Sequence, residues 1–336
     1  MLIVRPARSR DLKDILRLAK LAGPGFTSLA VGKKALTQRL KNSIKSFNGP
    51  SEISSDHIYL LILEDDGKVV GLSAIKAQVG MRDPFFNFRI LNVAQKSKVA
   101  DKRFNMDVLV LVNDYTGASE VSSLFVMENQ RGTGAGRLIS QARYLLMAAD
   151  PARFAPRVIS ELRGHVDEHG ISPFWDAIGR KFFDMDFGEA DHISAEKDNQ
   201  FILDLMPKYP IYKDLLPEAA RVVIGETHPA GIGARRFLEA EGFRYDGMVD
   251  IFDGGPSVSA PRDDIRTIRD SRLLTLNGIA VDGELDALVS RDEIKDFACV
   301  RTKISFYGQT VNINNKVLEA LGLKTGESAR VWINRE

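Results

Sequence analysis

The 336-residue chain holds a single cysteine, Cys299. One thiol forms no disulfide within the chain and offers no cysteine cluster for zinc, which suits a reducing compartment. No apolar run approaches the roughly 20 residues that a membrane helix needs. The opening residues, MLIVRPARSRDL, put Arg5 and Pro6 where a signal peptide would need an unbroken apolar centre. An excess of one charge is missing too: 46 Lys and Arg stand against 45 Asp and Glu, for a formal net charge of +1. That balance argues against a dedicated nucleic-acid or membrane-surface binder. There is no low-complexity tract. What remains is an ordinary globular composition, 44% apolar and 27% charged, and the expectation is a soluble cytoplasmic protein of two domains, or of one large domain with an appendage.

Periodicity supplies the elements. LIVRPA reads as a first strand, and Ser9 or Asp11 can cap the helix DLKDILRLAKLA. A small-residue loop, GPGFTSL, leads to a second helix, KKALTQRLKNSIKSF. HIYLLILEDDGKVVGLSAIKAQVG has two β-rich runs joined at Asp66-Gly67, a hairpin signal. DPFFNFRILNVAQ is expected to extend that antiparallel sheet, followed by the strands DVLVLVND and SSLFV. The segment after SSLFV repeats Leu138, Ile139, Ala142, Leu145, Leu146 and Ala149 at helical spacing, giving one apolar face. RVISELRG is a further strand, SPFWDAIGRKFFD a helix opened by Ser-Pro, and GARRFLEAEGFRYDG a helix, a glycine and a strand. DIFDGGPSVSAPRDD packs Asp, Gly and Pro together and reads as a boundary. Beyond it the elements are short and β-rich. The division expected is therefore 1–261 and 262–336.

Between SSLFV and the long helix stands RGTGAG, with Gly132, Gly134 and Gly136. A strand that runs through glycines into a helix aims several backbone N–H groups, and the positive end of the helix dipole, at one point; that geometry binds phosphate. A dinucleotide fingerprint would need G-x-G-x-x-G, and a P-loop would end in Gly-Lys-Ser/Thr. Neither spelling is present. Arg131-x-x-Gly134-x-Gly136 after a strand is instead similar to the pyrophosphate loop of GNAT-type acyl-CoA transferases, and the order of elements agrees. A plain tight turn is the alternative. The resemblance implies an α+β fold: a GNAT-like mixed, mostly antiparallel sheet flanked by helices, with a small β-barrel-like domain at the C-terminal end. NINNKVLEALGLKTGESARVWI in that last part resembles a motif of small double-psi β barrels, which implies packing or subunit contact but no activity.

Longer stretches narrow the resemblance. DPFFNFR, NDYTGASEVSSLF, DEHGISPFWDAIGRKFFDMDF, DLMPKYPIY, GETHPAG and DIFDGGP resemble arginine N-succinyltransferases, from Arg5 to about Pro256 and more weakly beyond. The resemblance implies transfer of succinyl from succinyl-CoA to the α-amine of L-arginine, with no permanently bound cofactor and no metal. Relatives built of paired subunits also take ornithine, so the chain is expected to form a homo-oligomer or to pair with a related subunit. Its intact glycine loop favours a CoA-competent subunit.

The resemblance assigns His228, in GETHPAG, as proton donor and Leu124 as a succinyl-CoA contact, with Arg131, Gly132, Gly134 and Gly136 forming the CoA loop. For His228 the plainer reading is a histidine holding the turn before Pro229. Asp114, Glu120, Asp167, Glu168 and His169 are candidates to hold the arginine side chain, and Arg163 and Arg89 to grip a carboxylate in the two-pronged way of guanidinium. Structural ion pairs or solvated loops are the alternatives for each. Asp250 and Asp253 read as turn residues first. His165-x-x-Glu168-His169 spells a zinc-peptidase motif, but that chemistry requires a helix, and here a strand precedes it and Gly170 follows at once. Other readings stay open: an acyltransferase for another amine or acyl-CoA, a non-catalytic partner subunit, and, remotely, a zinc peptidase.

Overall fold

The structure is a computed structural model that describes residues 1–22, 32–196, 204–308 and 310–334. The loop expected at GPGFTSL lies outside the described residues.

The chain begins with β1 (Leu2–Pro6), α1 (Leu12–Ala22) and α2 (Lys33–Asn48), then the hairpin of β2 (Ile58–Asp65) and β3 (Lys68–Lys76). Asp66 and Gly67 both take positive φ, 46° and 81°, as a two-residue hairpin turn requires. The strands β4 (Asn87–Ser97), β5 (Lys102–Val112) and β6 (Ser119–Val126) follow, then α3 (Ala135–Ala149) and β7 (Arg157–Glu161). Three shorter helices come next: α4 (Pro173–Ala177), α5 (Gly179–Phe183) and α6 (Phe187–Glu196). After the short β8 (Ile211–Tyr212), helix Ile232–Ala240 leads to β9 (Arg244–Asp250) and β10 (Pro256–Pro261). The last part holds β11 (Arg272–Ile279), β12 (Leu285–Ser290), β13 (Cys299–Tyr307), β14 (Thr310–Asn314) and β15 (Ser328–Ile333), with a helix at Asn315–Leu321.

The strands form one hydrogen-bonded array in the order β12-β15-β11-β14-β13-β1-β2-β3-β6-β7-β10-β9-β4-β5-β8. β12 also pairs with β13, so β11 to β15 close into a five-stranded barrel with its own core around Leu276, Val289, Ile304 and Val331. Within the array β6–β7 and β11–β14 run parallel and the other pairs antiparallel. α3 lays Leu138, Ile139, Ala142, Leu145 and Leu146 on one face of the central strands. α1 and α2 cover the other face with Ile15, Leu18, Leu36 and Leu40. Each Leu or Ile among them, fully buried, contributes about 1.5–3 kcal/mol. A further core around Trp175, Phe174 and Ile251 lies under α4 and α5.

Three expectations are corrected. β4 and β5 do not sit beside the β2–β3 hairpin: β3 pairs with β6, and β4 joins the sheet on the far side of β7 through β9. Local periodicity identifies a strand but not its neighbours. SPFWDAIGRKFFD is two single-turn helices, because Ile178 leaves helical geometry (φ −121°, ψ −75°) and the Trp175 ring packs against Gly179. Pro256–Pro261, inside the stretch read as a boundary, is β10, paired with both β7 and β9.

A buried polar knot ties α3 to the approach to the barrel. Glu241 accepts from Gln141 Nε2 (3.0 Å), Thr267 N (2.8 Å) and Thr267 Oγ1 (2.9 Å). Removing its carboxylate strands those donors in the core. Glu241→Ala is expected to cost about 2–4 kcal/mol in urea denaturation, with an unchanged KM for any substrate.

Candidate active site

β6 and β7 are parallel neighbours, yet their ladder has only two rungs, Ser119–Val158 and Glu120–Ile159. Ser160 Oγ adds a bond to the Val121 carbonyl at 2.9 Å. Past that point the strands part, and the carboxyl ends of two diverging parallel strands make a crevice where ligands commonly bind. β6 leads into the glycine loop, and β7 into Arg163, His165 and, across the chain, His228.

On the β6 side, Ser123 and Leu124 together stand opposite Ser73, a β-bulge, with Ser123 at φ 55°. A left-handed non-glycine residue costs about 1 kcal/mol or more, and such strain collects at functional sites. The Leu124 side chain packs into the core on the α3 face. A 3-10 turn, Glu128–Gln130, then delivers the loop. Gly132 (φ 79°) and Gly134 (φ 88°) take backbone conformations that other residues avoid, and Gly134 is the N-cap of α3. Space is open where a Gly132 side chain would be, whereas one on Gly134 would lie 2.8 Å from Arg301 Nη1 of the barrel. Gly136 lies inside α3, and the Phe237 ring packs over it. Its small size serves the contact between α3 and helix Ile232–Ala240. Arg131 is 67% exposed, 3.9 Å from Glu128.

On the β7 side, His228 N donates to the Arg163 carbonyl (2.8 Å). His228 caps the turn Pro229–Gly231 by accepting from Ala230 N at Nδ1 (3.1 Å), so its neutral ring carries the proton on Nε2. Burial, then the Arg163 guanidinium, then His165 hold its pKa below the usual histidine range; the Val166 carbonyl pulls the other way. The His165 and His228 rings are 6.1 Å apart. Arg163 Nε is buried without a hydrogen-bond partner. Burial lowers its pKa and Asp253 raises it.

Asp253 clasps the site. Its Oδ2 accepts from Gly164 N (2.7 Å) and its Oδ1 from Gly255 N (2.8 Å). The backbones come so close that a Cβ on Gly164 would run into Asp253, and one on Gly255 into the Leu162 carbonyl. Asp250 accepts from Phe252 N (2.7 Å) and Asp253 N (2.9 Å). Burial, then Asp253, push Asp250 up to about 7. Glu161, at the end of β7, is held by Asn87 Nδ2 (2.9 Å) and is raised well above the carboxylate range by burial, Asp250 and Glu120.

The other candidate substrate residues are dispersed. Glu120 is buried on β6, its Oε2 2.7 Å from Lys76 Nζ. Asp114 pairs with Arg89 (2.6 Å) ahead of β6, at the end away from the glycine loop. Asp167 Oδ1 accepts from His169 N (2.9 Å) and Ile171 N (2.8 Å), making a tight turn. Glu168 and His169 at its tip are 88% and 75% exposed. HVDEHG is thus extended chain and turn, and its histidines are not stacked by a helix. Among the described residues no three His, Cys, Asp or Glu side chains group to hold a metal, and no helix is long and apolar enough to cross a membrane. Sequence reasoning missed Glu161, Asn87 and Arg301. A lone acid inside the apolar strand RVISE was a usable signal for the first; Arg301 lies over 160 residues from the loop it touches and left none.

Comparison with known proteins agrees across the whole chain. Residues 2–267 match the family model described as arginine N-succinyltransferase beta subunit, and residues 272–332 match that of its C-terminal domain. Arginine N-succinyltransferases of Yersinia pestis and Citrobacter koseri are 39% and 38% identical, each covering 98% of this chain and 97% of the relative. The solved structure of arginine/ornithine succinyltransferase subunit AI from Pseudomonas aeruginosa superposes with a TM-score of 0.90 at 35% identity, over 99% of this chain and 98% of that one. The fold is that of an acyltransferase. The chain belongs to the arginine N-succinyltransferase family.

The Asp250 shift has a sign. Unfolded, its carboxyl titrates near 3.8; folded, near 7. Between those values the native state holds a proton that the unfolded state has lost, so stability falls as pH rises through this window, by up to about 1.4 kcal/mol per unit for one group. Urea titrations from pH 4.5 to 8 are expected to show a shallower decline for Asp250→Asn, which keeps a carbonyl oxygen for the two backbone donors.

Proposed function

We propose that this chain transfers the succinyl group of succinyl-CoA to the α-amine of L-arginine. The observation that carries this is its likeness, along nearly its full length, to enzymes named for arginine succinylation. The intact glycine loop at the start of α3 supports a catalytic chain rather than an inert partner. In this reading the crevice site belongs to residues 1–261, and residues 262–336 brace it. The relative from Pseudomonas aeruginosa is named as one subunit of its enzyme, which supports an assembly of like or paired subunits. The absence of an apolar spanning helix among the described residues fits a cytoplasmic enzyme.

The thioester would enter between the diverging strands. Arg131, Gly132 and Gly134 offer the phosphates a cation, open backbone and a helix N-terminus, and the backbone at Leu124 lies along the pantetheine arm. The arginine nitrogen attacks the thioester carbon, the C–S bond breaks, and the proton lost by nitrogen ends on sulfur. An α-amine of pKa about 8 or more and a thiol of about 8.5 make both transfers modest. Oxyanion stabilisation by backbone N–H at the bulge is then the larger contribution. His228 gives its Nε2 proton to the departing sulfur and regains one from the amine. Glu120, Asp114, Arg163, Asp167, Glu168 and His169 remain candidate arginine contacts; burial at the mouth between β6 and β7 favours Glu120 and Arg163.

The direct test is CoA thiol release with succinyl- and acetyl-CoA against arginine, ornithine and lysine. Fastest turnover is expected for succinyl-CoA with arginine; no turnover of any pair would overturn the reading. For His228, positioned acid–base catalysis contributes about 10²–10⁴-fold, and Ala should lower kcat by that order with succinyl-CoA affinity nearly unchanged. Gln can still accept from Ala230 N but cannot cycle a proton. If Gln restores most of the rate, His228 holds the turn and does not transfer the proton.

A further inference from the structure

Glu161 ends β7 between three apolar cores. The one under α1 and α2 holds Leu72 and Phe125, the one under α4 and α5 holds Phe88 and Val249, and the third, around Ile159 and Met248, lies toward the start of β7. Counting on from the rungs Ser119–Val158 and Glu120–Ile159, Glu161 stands level with Ser122, one residue before the Ser123–Leu124 bulge. That is about 3.3 Å along the strand. Val158 and Leu162 turn into the core under α3, so by strand alternation Glu161 points to the opposite face. There it is half-buried.

Its hydrogen bonds leave it one free oxygen. Asn87 Nδ2 (2.9 Å) and Ser257 Oγ (3.5 Å) both donate to Oε1, which leaves Oε2 for a ligand. Asn87 is wholly buried, and its Oδ1 has no partner. Lys76 Nζ is taken by Glu120 at 2.7 Å, and among the described residues no cation forms an ion pair with Glu161. The group is rich in acceptors and short of donors. A buried acceptor left empty is costly, and an ammonium brings three donors and no acceptor. Burial first, then Asp250 and Glu120, raise the Glu161 pKa well above the carboxylate range, while the Asn87 hydrogen bond and Lys76 oppose them. Burial keeps the Tyr115 hydroxyl, bonded to Asp246 (3.2 Å), neutral beside them. A carboxylate so raised matches an amine better than an ordinary one does.

Resting on the function proposed above, we propose that Glu161 is the base that frees the arginine α-amine, its Oε2 accepting a proton from the bound ammonium. The neutral nitrogen then attacks the thioester carbon at the bulge. His228 gives its proton to the sulfur as the C–S bond breaks and takes the second proton of the nitrogen. Glu161 returns the first proton to water when product leaves. One ammonium and one thioester thus give one amide, one thiol and one released proton. The acid at His228 and the base at Glu161 are separate groups.

The test is the pH dependence of thiol release by wild type, Glu161→Gln and Glu161→Asp, with succinyl-CoA saturating and arginine varied. Gln keeps an oxygen for Asn87 Nδ2, and thermal melts confirm folding. Positioned acid–base groups contribute about 10²–10⁴-fold, so Gln should lower kcat/KM for arginine by that order near neutral pH. As pH rises above the Glu161 titration toward the pKa of the amine, the loss should shrink about tenfold per unit, because solution then supplies neutral amine. Asp should recover part of the rate. A Gln variant as active as wild type overturns the proposal, and so does a loss that stays constant across that window, which marks a structural role. Calorimetric titration of arginine onto the protein with CoA present reads the same group without turnover. Wild-type affinity should fall as pH drops through the Glu161 titration, and Gln should lack that fall; equal pH dependence in both overturns the proposal. Absence of turnover in the wild type would instead sink the reading of the function, leaving the binding comparison to judge Glu161.

Discussion

The functional half of the molecule depends on two strands that run parallel and separate almost at once. Parallel neighbours usually stay paired for their length, since every broken rung exposes backbone N–H and C=O groups. β6 and β7 keep two rungs and then diverge. The bulge at Ser123–Leu124 turns β6 aside, and β7 ends in a chain locked to the Asp253 loop. The opening is therefore imposed from both sides, and backbone groups that a continuous sheet would consume stay available in a crevice of fixed width.

The second constraint is the close approach of three backbones around Asp253. One carboxylate bridges Gly164 and Gly255, and His228 hangs from the Arg163 carbonyl next door. Sequence-distant segments at 163–164, 228 and 253–255 are thus held by one short carboxylate and a backbone hydrogen bond rather than by long side chains, which gives the imidazole little freedom. Burying several acids so near one another is costly. The compensation is short bonds from backbone N–H groups to Asp250 and Asp253, and Asn87 beside Glu161. With Asp250 pushed up to about 7, the stability of this clasp depends on pH below neutrality.

Much of this was legible beforehand because it is local. The hairpin at Asp66-Gly67, the apolar face of α3 and the positive-φ glycines at 132 and 134 all follow from neighbours within a few residues. The family resemblance singled out GETHPAG for His228, but DIFDGGP read as a boundary, and nothing in the sequence said that Asp253 would close on Gly164 beside it. What was not legible is what depends on the partners of a strand. Nothing in DPFFNFR says that β4 will lie beyond β9, and nothing in CVRTKISFY says that Arg301 will touch Gly134. HVDEHG looked like a ligand set as letters, yet the hydrogen bonds of Asp167 spend it on a turn whose tip faces water. Gly136, read as part of a loop, proved to be a place for Phe237.

Pairing between early and late parts of the chain has a consequence for how the molecule is made. β1 meets β13 through Ile3–Val300 and Val4–Cys299, and β2 on its other side. A strand synthesised among the first residues therefore keeps one bare edge until some three hundred residues have emerged. Bare edges invite pairing with other chains, and contacts this far apart in sequence form slowly. The closed ring of β11 to β15, once assembled, caps that edge, so the last-made part of the chain acts as the stopper for the first. A nascent or clipped chain lacking it presents an open sheet border, which makes completion of the barrel the step that hides that border from other chains.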